Sequence, residues 1–256
     1  MKKIFCTILL ALITLLSFGQ NKGAIQFLGI PIDGPKSQFT TKLKEKGFTY
    51  DSYLEGYKGQ FNGKNVEVYI HTNHNLVDRV YVAFPTTTEK EIKNEFNRLL
   101  SQFNNTGKYM DLSFNKEISD DEDISREITV NNKRYQASFS YFDPERDPIP
   151  FIDALCDKFQ DLIPEEQLNL LRDYVKAAMN LSEEERNALQ EKGMAELQSS
   201  IEMYPEKAIM LLATYFDGMK SLADGDVWFM IHERYGRYHI GLYYDNLHNQ
   251  AHGEDL

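Results

Sequence analysis

Asn62-Gly63, set between the runs Gly56 to Phe61 and Val66 to Thr72, narrows the fold more than any other feature of the chain. A two-residue hairpin turn needs positive φ at both central positions, and Asn-Gly meets that demand with little strain. The flanking runs must therefore pair antiparallel. After a polar turn at Asn73 to Asn75, the run Val77 to Phe84 carries Val77, Val80, Val82 and Phe84 and adds a third strand to the meander.

Helical signals lie on either side. Ala24 to Ile30 alternates weakly and reads as a first short strand, followed by a turn from Pro31 to Gly34. Pro35 then opens a helix to about Lys46, with Phe39 and Leu43 on its inner face and Gly47 as its stop. Thr88-Glu89-Lys90-Glu91 has the reciprocal capping pattern that starts a helix. Ile92, Phe96, Leu99, Leu100 and Phe103 form its buried stripe before Gly107. A second hairpin is expected where Ile124 to Val130 and Arg134 to Tyr141 flank Asn131-Asn132.

Asp143 to Pro148 reads as a linker, and soon after it the period turns helical. Four helices are expected, over Pro150 to Asp161, Pro164 to Met179, Ser182 to Met203 and Pro205 to Leu222. Val227 to His232 and Tyr238 to Tyr244 then alternate around Tyr235-Gly236 as a last hairpin. An isolated hairpin is marginal, so this one is expected to rejoin the earlier sheet. The fold class read from this order is α+β, an antiparallel sheet built from hairpins with packed helices and an inserted helical section. The expected divisions are 1–20, 21–145, 146–223 and 224–256.

Residues 1–20 read as a cleavable signal peptide: Lys2 and Lys3, then the apolar run Ile4 to Leu16, then small and polar residues. The run is too short for a permanent span, and Cys6 sits too early in it for a lipoprotein anchor. Cleavage would remove Lys2 and Lys3 and no acid, taking the formal charge two units below the −11 of the full chain. So acidic a chain repels phosphate backbones, which argues against nucleic-acid binding, and no membrane span is expected in the mature chain. Cleavage also leaves Cys156 without a disulfide partner. On one helical face with Ile152 and Phe159, it reads as a buried, inert thiol.

With Phe27-Leu28-Gly29-Ile30-Pro31-Ile32-Asp33-Gly34, followed by Phe39, Leu43, Lys46, Gly47 and Phe48, the chain resembles uncharacterised exported proteins of Gram-negative gut anaerobes. Its closing Tyr243-Tyr244-Asp245-Asn246 with Asn249, then Gly253-Glu254-Asp255-Leu256, is similar to the ends of such proteins. The resemblance implies export, to the periplasm or beyond, and carries no established activity or site residue. The helix-then-sheet units are also similar to small periplasmic modules of the β-lactamase-inhibitor-protein kind, which bind other proteins.

Three groups of residues have the chemistry for a site. His248 and His252, four apart with Glu254 and Asp255 nearby, suit a zinc or other transition-metal ion if the segment is helical. The simpler reading is a solvated tail, since only Leu247 and Ala251 would pin it. Ser119-Asp120-Asp121-Glu122-Asp123 has the oxygen donors calcium favours but lacks the glycine and distal glutamate of an EF-hand loop, so a solvated acidic turn is expected. Asp226, His232 and His239, with Glu233 and Tyr243, supply acid–base types on the last hairpin without a motif naming a nucleophile. His71 and His74 flank a turn with no acid at a useful spacing. No Gly-rich phosphate loop, G-x-S-x-G, H-E-x-x-H or C-x-x-C occurs, and no cofactor is implied. The leading expectation is a non-catalytic binding module of the cell envelope, engaging an envelope protein or a small ligand through an aromatic sheet surface. The alternative is an envelope hydrolytic enzyme, with or without a metal ion, and a structural or assembly factor is a third reading.

Overall fold

The computed structural model describes residues 23–143, 148–161, 164–166, 168–169, 172–173, 184–185, 188 and 205–250. The segment read as a signal peptide, His252, and most of the helices expected over Pro164 to Met179 and Ser182 to Met203 lie outside the described residues. The fold is α+β. The chain divides into one unit made of Lys22–Asp143 with Ala223–Leu256, and another that contains Pro144–Leu222.

In the first unit, positive φ at Leu28 and Gly29 folds the expected opening strand back on itself, giving β1 (Gln26–Phe27) and β2 (Ile30–Pro31). Glycine at the second turn position makes this possible, and it buries Phe27, Ile30 and Ile32 together. α1 (Lys36–Glu45) follows Pro35, which stands one residue outside as the N-cap, and Gly47 ends it at φ +89°. β3 (Thr49–Asp51), β4 (Gly56–Phe61), β5 (Lys64–Asn73) and β6 (Leu76–Ala83) form the meander. Asn62 and Gly63 turn at φ +52° and +76°, and His74 and Asn75 at +46° and +66°. β3 is short, polar and largely exposed, so it gave no alternation to read. α2 (Glu89–Asn105) starts at the Thr88–Glu91 capping box and buries the expected stripe.

The second expected hairpin does not form. Ile124–Thr129 is a short helix, α3, capped by Asp123, whose side chain accepts the Arg126 N–H at 2.8 Å. Ile124 and Ile128, four apart, turn toward the core, while Val130 is 66 % exposed, so the helical period prevails over alternation. β7 (Gln136–Tyr141) pairs instead with β8 (Gly225–Arg234), which pairs with β9 (Arg237–Asn246) around Tyr235-Gly236. β9 also pairs with β6, giving the order β3-β4-β5-β6-β9-β8-β7, antiparallel throughout. The last hairpin thus joins the meander to β7.

Strand alternation sends Val68, Val80, Val82, Val227, Phe229, Leu242 and Tyr244 inward. There Phe96 and Phe103 of α2 meet Phe229 at ring separations of 5.0 and 5.9 Å, with Phe39 and Leu43 of α1 in the same core. Burying each large apolar side chain contributes about 1.5–3 kcal/mol. β7's outer edge is paired rather than open: Met110 exchanges backbone hydrogen bonds with Ser140, and the Asn115 amide bonds the N–H and C=O of Ser138.

The other unit contains α4 (Pro148–Asp157) and α5 (Pro205–Ser221). Leu155 comes within 3.0 Å of where a Cβ on Gly218 would stand, so the glycine lets the two helices approach. Phe151, Ile152, Cys156, Phe159, Tyr215 and Met219 are buried. Among the described residues no helix is long and apolar enough to cross a membrane.

Candidate functional site

The outward residues of the sheet form rows, because antiparallel register sets each strand's outward positions opposite its neighbour's. One row runs Tyr69, Tyr81, Tyr243, Trp228 across β5, β6, β9 and β8. Their rings stack face to face: Tyr69–Tyr81 at 5.6 Å and 22°, Tyr81–Tyr243 at 4.7 Å and 20°, Tyr243–Trp228 at 3.8 Å and 7°. Each pair contributes roughly 0.5–1.5 kcal/mol beyond its burial. Gly56 sits at the Tyr69 end, where a Cβ would stand 2.8 Å from the ring, and Ser138, bonded to Ser113, lies opposite Trp228. The rings face one another, and Tyr69 donates its hydroxyl to Glu67 Oε2 at 2.8 Å. Burial, helped by the bonds to Glu67 and Tyr243, pushes the Tyr69 and Tyr81 hydroxyls up to about 12, so both stay neutral.

The adjacent row is charged: His71, Arg79, Asp245, Asp226, Ser140. Asp245, only 4 % exposed, accepts Arg79 Nε–H at 2.5 Å, Arg79 Nη2–H at 2.9 Å and Trp228 Nε1–H at 2.9 Å. This carboxylate ties the last rung to the guanidinium, which lies 5.9 and 5.8 Å from the Trp228 and Tyr243 ring centres. Its hydrogen bond to Asp245 raises Arg79 above its usual range. On the other side of the ladder stand Glu67, Ala83, Gly241 and Met230, and beyond them His232 opposite His239.

Of the acid–base set on the last hairpin, the structure brings His232 and His239 together and leaves Asp226 apart. Six residues of extended strand put Asp226 about 20 Å away, where it faces Asp245 and accepts Ser140 Oγ–H at 3.1 Å. Glu233 accepts the Gly236 N–H at the turn. His71 does have an acid: its Nδ1 lies 2.7 and 2.9 Å from the Asp78 carboxylate, because a bulge between His71 and Thr72 leaves Asp78 as an extra residue beside it. The segment through Asn249 is no free tail. Buried Asn246 donates to Ile32 O, Asn249 Nδ2 contacts Asp33 Oδ1 and Val77 O, and His248 Nε2 lies 2.7 Å from Asp224 Oδ1. Among the described residues no three His, Cys, Asp or Glu side chains gather as a metal site.

The acidic stretch at 119–123 is the exposed turn expected, with Ser119, Asp120, Asp121 and Asp123 exposed and Glu122 part-buried, and its backbone is tied to α2. Lys93 Nζ donates to Asp120 O at 3.0 Å and to Glu122 O, and Glu122 accepts from Lys133 and Tyr135. Cys156 is buried, and burial pushes its thiol up to about 11. Sequence reasoning missed Tyr69, Tyr81, Arg79, Asp78, Asp224 and Lys93, whose roles depend on strand register and tertiary partners rather than on a local motif.

No family model, curated protein or solved structure matches the chain.

Proposed function

We propose that this is an exported, non-catalytic binding module of the cell envelope, of the kind its opening and closing motifs resemble. Its contact surface is the outer aromatic face of the seven-stranded sheet, and its partner is an envelope protein or a small ligand lying across the strands. The observation that carries this reading is the four-ring ladder of Tyr69, Tyr81, Tyr243 and Trp228, half-buried on the face opposite α1 and α2. Tyr, Trp and Arg concentrate where proteins bind partners, because they bring large area with few rotatable bonds. Here stacking and the Asp245 bonds hold the rings in advance, which lowers the ordering cost of association. The rival hydrolase would need a carboxylate on the histidine pair, and Asp226 stands at the far end of its strand.

A photoreactive residue replacing Met230, beside the ladder, tests this in cells that make the protein, with the same residue replacing exposed Lys44 on α1 as the comparison. A discrete adduct from Met230 that is absent from Lys44 and weakened by Tyr243→Ala is expected. Equal adducts from both positions, or none from Met230, refute the assignment of this face.

A further inference from the structure

His232 and His239 face each other near the turn of the last hairpin, their rings 4.9 Å apart and within 16° of parallel. His232 Nε2 is buried with no hydrogen-bond partner among the described residues. Native proteins leave few such atoms, since each forfeits a bond that water would supply, and one that persists calls for a reason. The atom reaches this place because residue 241 is glycine. A Cβ there would lie 3.0 Å from His232 Nε2, 3.0 Å from Tyr81 Cε2 and 3.2 Å from Tyr243 Cε2. Three side chains converge over one bare backbone position, and two of them are the middle rungs of the ladder.

We propose that the His232–His239 pair is an acid-operated latch on the binding face: protonating the pair lifts His232 off Gly241 and releases Tyr81 and Tyr243, so the ladder is set near neutrality and loosened in acid. The inference rests on the reading of this face as the binding surface.

A neutral imidazole lies over Gly241 as a flat aromatic group. With the neutral ring's hydrogen on Nδ1, a proton on Nε2 makes it a cation whose new N–H has no acceptor among the described residues and whose stacked neighbour is a second imidazole. His239 and Tyr243 face it from β9 and Tyr81 from β6; on the β7 side the register brings exposed Arg134 opposite it, and Glu67 of β5, bonded by Tyr69, stands further along the Gly241 row. On its own strand Met230 is the next outward residue, while Glu233 is held at the turn by the Gly236 N–H. Among the described residues no carboxylate bonds to either imidazole, so relief comes only from water, and reaching water requires movement. Burial holds both imidazoles below their ordinary value of 6.5, and the His232 charge lowers His239 further. The unfolded chain therefore takes up protons near that pH that the folded chain refuses. Stability falls as pH drops through this range and levels off once the folded pair is protonated.

An NMR titration of the full chain from about pH 8 to about pH 4.5, without ligand, tests the latch on the histidine Cε1–H signals and the Tyr81 and Tyr243 ring signals. The two histidines are expected to titrate below an ordinary histidine, and the tyrosine signals to shift with the same midpoint. In His232→Phe, or His232→Gln should the phenyl ring not fit, the tyrosine shift should vanish and His239 should titrate at higher pH. Tyrosine signals that stay flat while the histidines titrate, or that move identically in the variant, overturn the latch. Because no ligand is present, that failure leaves the Met230 adduct standing, whereas a missing adduct removes the binding face whatever the histidines do.

Discussion

Replacing Asp245 by Ala removes three hydrogen bonds from one buried carboxylate and should cost about 2–3 kcal/mol. Breaking a fully buried pair costs roughly 3–5 kcal/mol, but the Arg79 side chain is 39 % exposed and keeps access to water, which brings its share down to about 1–2 kcal/mol. Trp228 Nε1 loses its acceptor while part-buried, which adds about 1–2 kcal/mol. Against these, Asp245 stands directly across from Asp226, and removing one of two opposed carboxylates returns about 0.2–1 kcal/mol. Asp245→Asn keeps an amide oxygen for Trp228 and should cost about half as much as Ala. Urea unfolding followed by tryptophan fluorescence is the assay, because Trp228 is the only tryptophan of the chain and reports the sheet without signal from the helical unit. A cost for Ala below about 1 kcal/mol with unchanged emission, or an Asn variant as damaged as Ala, would refute the idea that Asp245 locks the ladder.

Lys93→Met should lower stability by about 2–3 kcal/mol, since it strands the Asp120 and Glu122 carbonyls, and amide exchange over 118–124 should quicken more than in β5. Unchanged exchange there would show that the ammonium does not organise this loop. In the chain lacking residues 1–20, where Cys156 is the single thiol, an aromatic disulfide reagent near pH 8 should label the native protein on the order of 100-fold slower than the unfolded one. Comparable rates would contradict a buried thiol.

The elements that could be read in advance were those whose signals are local. Asn62-Gly63 and Tyr235-Gly236 carry positive φ at adjacent positions, and the Thr88–Glu91 box closes within four residues. Ile124 to Val130 misled because Ile124, Ile128 and Val130 satisfy a period of two as well as they satisfy helical spacing at the first two positions. The arbiters were the Asp123 cap and the Glu89 carboxylate, which accepts the Ile124 N–H at 2.8 Å from 35 residues away. The tail was misjudged for a similar reason. Asn246 and Asn249 look like loop residues, yet their amides are held by Ile32, Asp33 and Val77, more than 170 positions earlier.

The ladder itself rests on one irregularity that turn chemistry alone cannot supply. Continued from Asn73↔Leu76 and Thr72↔Val77, regular pairing would set His71 against Asp78 and Tyr69 against Val80. A one-residue slip of this kind turns every β6 side chain over, sending Val80 and Val82 toward the ladder face and Tyr81 into the core. The bulge between His71 and Thr72 absorbs the extra residue, so His71 meets Arg79 and Tyr69 meets Tyr81. The valines of β6 are the physical cause, since only the bulged register buries them. Asp78, set aside by the bulge, finds His71. The alternation of Val80 and Val82 already contained this choice, but the final rungs needed the pairing of β6 with β9 across some 160 residues. Hydrophobic burial on the inner face thus sets the register, and the register aligns four aromatic residues on the outer face.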